Sequence, residues 1–121
     1  NSMNFSKKST ETETYVNDEV SLEIKNDSID NSGLVLLISN KTNTDLTYDS
    51  TYYIEQKKNG VWYSSDNEQY FNALAILLES KATNEFEVDF ETTLPQGEYR
   101  IIKSINVSTG SIPLMVDFKI S

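Results

Sequence analysis

A two-residue alternation of apolar and polar side chains recurs along most of this chain and limits what it can fold into. The clearest case lies at residues 85–91, where Phe86, Val88 and Phe90 alternate with acidic side chains. Similar stretches lie at 20–25, 52–55, 99–105 and 114–120, and Leu34–Ile38 is a continuous apolar run. Successive side chains of a strand point to opposite faces, so this period is typical of half-buried strands. The continuous run predicts a strand that is covered on both faces.

Turn signals separate these stretches. Asn59-Gly60 lies between two of them and is the strongest short hairpin signal, since both residues accept a positive φ. Residues 30–33 and 94–97 are rich in Asp, Asn, Ser, Gly and Pro and predict further turns. About seven to eight strands with a turn roughly every ten residues predict an all-β, antiparallel, immunoglobulin-like β-sandwich.

The segment 70–78 departs from the alternation. Phe71, Leu74 and Leu78 would share one stripe of a helix, which leaves one short helical turn near 70–77 as an alternative. The all-β surroundings favour a loop or single turn that is followed by a short strand, and we expect this arrangement rather than the helix.

Residues 1–16 differ in composition from the rest of the chain. They are polar, rich in Ser and Thr, and lack apolar periodicity. Such a segment buries too little to offset its ordering entropy, which predicts a flexible tether over 1–16 and a domain over 17–121. The two lysines and two glutamates of 1–16 cancel, so the net charge of −9 lies in the predicted domain.

Composition excludes several kinds of site. The chain has no Cys and no His, which excludes disulfides, thiol catalysis, histidine acid–base chemistry and any zinc or copper site built on those ligands. The acidic charge disfavours nucleic-acid binding. No apolar stretch is long enough for a membrane span, and neither a nucleophile elbow nor a phosphate-binding glycine loop is present. We expect no catalytic residues, no metal site and no cofactor.

Three segments carry a resemblance to a known family. Residues 52–63 (YYIEQKKNGVWY), 94–103 (LPQGEYRIIK) and 37–42 (LISNKT) resemble motifs of bacterial immunoglobulin-like domains in predicted lipoproteins and surface proteins of Gram-positive bacteria. The resemblance implies a non-catalytic binding or spacer module in the cell envelope, with a lipid anchor upstream of residue 1. The family has no general biochemical activity to carry over.

Two other hypotheses stay open. Size, acidity and the late Pro-x-Gly-x-Tyr corner also resemble the bacterial intracellular proteinase inhibitors, which would imply a cytoplasmic protein that blocks a protease. The chain could also be a fragment or regulatory domain of a longer protein whose chemistry lies elsewhere. The hairpin and the 94–103 motif favour the immunoglobulin-like family.

The corner at 94–100 has a predicted structural role. Gly97 and Tyr99 follow Leu94-Pro95 at the start of a strand, the pattern of a tyrosine corner, in which the phenol hydroxyl bonds to the backbone. The next residue, Arg100, lies close in sequence to Glu98 and is expected on the outward face, where it would form a cross-strand ion pair or contact an anion.

Seven aromatic residues lie within 48–71 and supply the candidate ligand surface. They are Tyr48, Tyr52, Tyr53, Trp62, Tyr63, Tyr70 and Phe71. If Tyr52 points inward, alternation places Tyr53 outward, and Trp62 and Tyr63 must take opposite faces. Exposed Tyr and Trp are common anchors in recognition, so Tyr53, Trp62 and Tyr63 are the candidate residues for a protein or glycan ligand. The alternative is that these rings only cover the sheet and bind no ligand. The domain itself is expected to be a monomer.

Acidic side chains are abundant and predict little chemistry. Those at 85, 87, 89 and 91 share one strand face and are expected to be solvated. Two clusters could supply oxygens to a weak Ca²⁺ site, although neither has EF-hand spacing. They are Asp27, Asp30 and Asn31, and Asp66, Asn67 and Glu68.

Overall fold

A computed structural model describes residues 4–11, 17–66, 71–72 and 74–121. The described residues contain strands and turns and no helix. Ten strands follow one another along the chain: β1 (Phe5–Lys8), β2 (Val20–Ile24), β3 (Gly33–Asn40), β4 (Leu46–Tyr48), β5 (Tyr53–Lys58), β6 (Val61–Ser65), β7 (Ile76–Leu78), β8 (Thr83–Asp89), β9 (Gly97–Val107) and β10 (Gly110–Ile120).

The strands form two antiparallel sheets. The small sheet has the order β2-β3-β8, and the large sheet has the order β1-β6-β5-β9-β4-β7, with β10 on the other side of β9. β10 pairs with β9 over its whole length. The opposite side of β9 is shared, since β5 pairs with residues 98–102 and β4 pairs with Asn106.

The core lies between the two sheets and is built by the alternation. Leu36, Ile38 and Val88 of the small sheet are buried, as are Ile54 and Ile101 of the large sheet. The Phe118 ring stacks between two others in this core. Its centroid lies 5.6 Å from that of Phe90 and 5.5 Å from that of Tyr99. The all-β, antiparallel β-sandwich predicted from the sequence is confirmed.

Three short strands bring the number of described strands above the seven or eight predicted. β1, β4 and β7 have three or four residues each, too few to show a periodicity in the sequence. The short strand expected at the end of the 70–78 segment is present as β7, so its last residues are extended rather than helical. Residues 67–70 and 73, including Tyr70, lie outside the described residues.

Two expectations about exposure are corrected. The run Leu34–Ile38 is not covered on both faces, because β3 alternates between buried residues and partly exposed ones such as Val35 and Leu37. Residues 5–8 of the predicted tether form β1, which is paired with β6. Phe5 is buried, and the centroid of its ring lies 5.8 Å from that of Tyr99. The Lys58 ammonium also donates to the Phe5 carbonyl at 2.6 Å, so side-chain contacts add to the strand pairing. Residues 1–3 and 12–16 lie outside the described residues.

Candidate functional site

The outer face of the large sheet carries a buried ion pair. Glu55 on β5 lies directly opposite Arg100 on β9. The Arg100 guanidinium donates to Glu55 Oε1 from Nε at 2.9 Å and from Nη2 at 2.6 Å, and both side chains are almost fully buried. The sequence analysis expected Arg100 on the outward face in a cross-strand ion pair and named no partner. In the structure the partner is Glu55, and the pair is covered.

Two elements cover this ion pair. The N-terminal segment (residues 4–11) crosses the sheet, and Arg100 Nη2 also donates to Ser9 Oγ at 3.3 Å and to the Glu11 carbonyl at 3.1 Å. The Trp62 ring lies over the guanidinium, with its centroid 4.4 Å from Cζ. A charged, delocalised plane stacked on an indole is a favourable cation–π contact. The arrangement holds the indole in a defined orientation on the outer face.

A shallow cleft of about 250 Å³ opens beside Trp62. Its wall includes four exposed charged side chains, which are Lys57, Glu98, Asp117 and Lys119. In the sheet Lys57 opposes Glu98, and Glu98 opposes Lys119, so the signs alternate from strand to strand. Among the described residues, ion pairs within 4.0 Å join only Arg100 to Glu55 and Lys25 to Glu85. Lys57 Nζ also lies over the Trp62 ring, 5.7 Å from its centroid, so two cations contact the indole that borders the cleft.

The three predicted ligand residues do not form one patch. Tyr53 is 55 % exposed, and the centroid of its ring lies 6.3 Å from that of Phe71. On β5 it lies four residues before Lys57, and Lys57 is the residue directly opposite Trp62, so Tyr53 is distant from Trp62 along the sheet. Tyr63 lies on the opposite face of β6 from Trp62, as alternation predicts, and packs against the core. Trp62 is the predicted ligand residue that lines the cleft.

The predicted turn residues have the following geometry. Asn59 and Gly60 have φ values of 51° and 79°, the positive values of a two-residue type I′ hairpin turn between β5 and β6. The Tyr99 hydroxyl donates to the Pro95 carbonyl at 2.6 Å, the contact of a tyrosine corner. Leu94 is buried beneath this corner, and desolvation raises the pKa of Tyr99.

Lys103 is a buried cation that the sequence analysis did not single out. It lies on the inner face of β9 and is fully buried. Its Nζ donates to the carbonyls of Asp49 at 2.5 Å and Thr51 at 2.7 Å, between the rings of Tyr48 and Phe86. Burial lowers the pKa of Lys103 to about 8, although the Asp49 carboxylate opposes the shift. The two-residue alternation of β9 could have indicated this burial, because position 103 falls on the same face as residues 99, 101 and 105.

The acidic loop clusters have local structural roles. Asp30 Oδ1 accepts hydrogen bonds from the backbone N–H groups of Ser32 and Gly33 and from Ser32 Oγ, and these bonds lower the Asp30 pKa. Asp66 accepts from Ser6 of β1. Asn67 and Glu68 lie outside the described residues, and within the described part no group of three or more Asp or Glu side chains could hold a metal ion.

Nor do the described residues form any helix suited to crossing a membrane.

Comparison with known proteins gives one match. Searches of curated proteins and of solved structures found no match. The family described as bacterial Ig-like domain matches residues 7–119, which include β2 to β9, the end of β1 and all of β10 except its last residue. Domains of this family are generally non-enzymatic and typically occur in surface or extracellular proteins. No comparison supports the proteinase-inhibitor alternative. With 113 of its 121 residues matched and a two-sheet antiparallel sandwich, the chain belongs to the bacterial immunoglobulin-like domain family.

Proposed function

We propose that this domain is a non-catalytic binding module of a Gram-positive cell-envelope protein, and that it binds a saccharide in the cleft beside Trp62. The observation that carries the proposal is the Trp62 ring, which Arg100 holds in place at the edge of a cleft with four exposed charged groups. The predicted residue Tyr53 lies outside this cleft, and Tyr63 belongs to the core side.

The chemistry of the cleft favours a saccharide over a protein ligand. An indole face offers apolar contact to the C–H groups of a sugar ring, and the contact with Arg100 already holds the Trp62 ring in place. Ammonium groups of Lys57 and Lys119 donate hydrogen bonds, while the carboxylates of Glu98 and Asp117 accept them, which suits a ligand rich in hydroxyl groups. Protein interfaces rely on larger apolar centres. The exposed large apolar side chains among the described residues do not line this cleft.

The envelope setting is part of the proposal. It is supported by the family, whose domains typically occur in surface or extracellular proteins. An anchor would require an apolar run that ends in Leu-x-x-Cys upstream of residue 1 in the full-length protein. Metabolic labelling of the full-length protein with a fatty acid tests this, and label that survives replacement of such a Cys would contradict a lipoprotein.

The binding experiment uses a glycan array together with soluble peptidoglycan and teichoic-acid fragments. We expect the wild-type domain to bind a saccharide and Trp62→Ala to lose at least 10-fold in affinity, because the variant removes the stacking surface. Tyr53→Ala is the matched control, since it removes an exposed ring of the same sheet face and should bind as the wild type does.

A second variant separates binding from folding. Lys119→Gln leaves the contacts of Arg100 and Lys57 with the Trp62 ring in place and removes one donor of the cleft, so we expect several-fold weaker binding with an unchanged melting temperature. A wild-type domain that binds no saccharide, or binding that survives Trp62→Ala, would refute the cleft as a glycan site. Binding to a purified envelope protein that Trp62→Ala abolishes would replace the saccharide with a protein ligand.

A further inference from the structure

The N-terminal segment is in contact with both parts of the structure that hold Trp62. The Ser9 N–H donates to the Trp62 carbonyl at 3.0 Å, which continues the β1–β6 pairing up to the residue that borders the cleft. The Arg100 guanidinium, which lies over the Trp62 ring, also donates to this segment. Its acceptors there are Ser9 Oγ at 3.3 Å and the Glu11 carbonyl at 3.1 Å. The segment therefore supports Trp62 twice, through its backbone and through the cation on its ring.

The segment and the cleft are nevertheless two distinct sites. The described residues that line the cleft belong to β5, β6, β9 and β10. The N-terminal segment thus leaves the space of the cleft to a ligand. Any effect of the segment on the cleft must pass through the residues that it contacts, above all Trp62 and Arg100.

The segment is attached to the domain by one apolar anchor and a row of polar contacts. Phe5 is buried, whereas the other three residues of β1 are exposed. A register shift between Phe5 and Lys7 lets the first point into the core while the second stays on the outer face. Hydrogen bonds from Lys58 to the Phe5 carbonyl and from Ser64 to the Lys7 carbonyl complete the attachment. Terminal elements with few buried apolar contacts open at the lowest free energies, before the core strands do.

We infer that the N-terminal segment regulates the cleft beside Trp62 by docking on β6 or leaving it, an inference that rests on the proposed function. In the docked state Arg100 is fixed over the indole, and the ring has one orientation. In the released state water replaces Ser9 and Glu11 as partners of Arg100, so the guanidinium and the ring are free to move. A ligand that stacks on the positioned ring binds the docked state more tightly. Its apparent affinity then falls in proportion to the docked fraction.

The coupling is reciprocal. A ligand in the cleft must favour the docked segment by the same factor by which docking favours the ligand. The Ser9 N–H reports this factor, because its hydrogen bond to the Trp62 carbonyl belongs to the docked state. We expect saturating ligand to slow hydrogen exchange of the Ser9 amide, measured by NMR spectroscopy.

A reversible lock tests the inference in the full chain. Lys7 and Ser64 lie directly opposite each other on β1 and β6, where Cα atoms of antiparallel strands are about 4.5–5.5 Å apart, a separation that suits a disulfide. The chain has no cysteine of its own. Phe5→Ala removes the buried anchor, and a triple variant that adds Lys7→Cys and Ser64→Cys carries a lock that a reductant opens. Trp62 is the only tryptophan, so its fluorescence reports on the ring without any ligand.

We expect Phe5→Ala and the reduced triple variant to show red-shifted emission and stronger quenching by acrylamide. They should also bind at least 5-fold more weakly to the soluble peptidoglycan or teichoic-acid fragment that the wild type binds, the loss for a docked fraction of about one in five. Oxidation of the triple variant should restore the emission and bring the affinity to within about 2-fold of the wild type. Ser9→Pro is a second variant, at a partly exposed position, and removes both the N–H and the hydroxyl of Ser9. It should change emission and affinity in the same direction as Phe5→Ala.

Controls separate regulation from folding and from the proposed function. Val88→Ala truncates a buried side chain of the small sheet and should lower the melting temperature without changing emission or affinity. If Phe5→Ala does not fold, Ser9→Pro and the exchange of the Ser9 amide decide. Emission that is unchanged in the folded variants, oxidation that restores nothing, or Ser9 exchange that ignores the ligand would each overturn the inference. If the wild type and the variants bind equally, the proposed function stands and this inference is wrong. If no fragment binds the wild type, the proposed function fails, and the emission alone decides whether the segment controls Trp62.

Discussion

Replacing Lys103 with methionine should change how the stability of the domain depends on pH. Methionine has a similar length and no charge, so the variant removes the titrating group and keeps most of the core volume. The Lys103 ammonium is enclosed by two carbonyls and two aromatic rings, and burial lowers its pKa from 10.5 to about 8. The unfolded chain retains a lysine that titrates near 10.5.

The sign and the size of the effect follow from proton linkage. Between pH 8 and 10.5 the unfolded state binds more protons at this site than the folded state, so the free energy of unfolding rises with pH. A fall of the pKa from 10.5 to about 8 corresponds to about 3 kcal/mol in full. From pH 7 to pH 9.5 the wild type should gain about 1–2 kcal/mol relative to the variant. Above that range tyrosines titrate, among them Tyr52 and Tyr99, whose pKa values burial raises.

Urea unfolding at half-unit steps from pH 7 to pH 9.5 measures the difference. Subtracting the curve of Lys103→Met from that of the wild type cancels the other lysines, which are shared by both proteins. Lys57→Met is the matched control, because Lys57 is exposed and its curve should run parallel to the wild type. A wild-type minus Lys103→Met difference that is flat, or that falls as the pH rises, would refute the reasoning from desolvation.

Two further substitutions test the packing by urea unfolding at pH 7. Glu55→Gln leaves the buried Arg100 guanidinium without its counter-charge and should cost about 3 kcal/mol, whereas the exposed Glu98→Gln should cost less than about 0.5 kcal/mol. Equal effects of the two would contradict a buried pair. Gly33→Ala would place a Cβ 2.5 Å from a carbonyl oxygen of β8 and should cost about 1–3 kcal/mol through displacement of that strand. A cost below about 0.5 kcal/mol would show that no close approach exists.

The strands could be predicted from the sequence because their side chains report burial locally. Phe86 and Val88 alternate with carboxylates, and β8 indeed packs the apolar set against the core and exposes the acidic set. Asn59 and Gly60 likewise encode their own turn through positive φ. In these cases a few neighbouring residues determine the structure, so no knowledge of distant contacts is needed.

The candidate site depends on contacts between distant parts of the chain. Glu55 and Arg100 are 45 residues apart, and their pairing follows from the register of β5 on β9. The burial of Lys103 depends on carbonyls more than 50 residues earlier. Phe5 gains its packing from Tyr99. Alternation therefore assigned the correct faces, while the degree of burial and the choice of partner came from the tertiary arrangement.

The N-terminal segment also gives the domain a built-in reserve of length. It is held by the β1–β6 pairing, by the Lys58 ammonium on the Phe5 carbonyl and by the Arg100 contacts, all at one edge and one face of the large sheet. When the chain is pulled from its N-terminal side, these contacts carry the load before the strands of the core do. Their release frees residues 4–11, which span at most about 27 Å at roughly 3.4 Å per residue, while β2 to β10 stay paired. The segment would thus lengthen the connection under tension and shorten it again when β1 returns to β6.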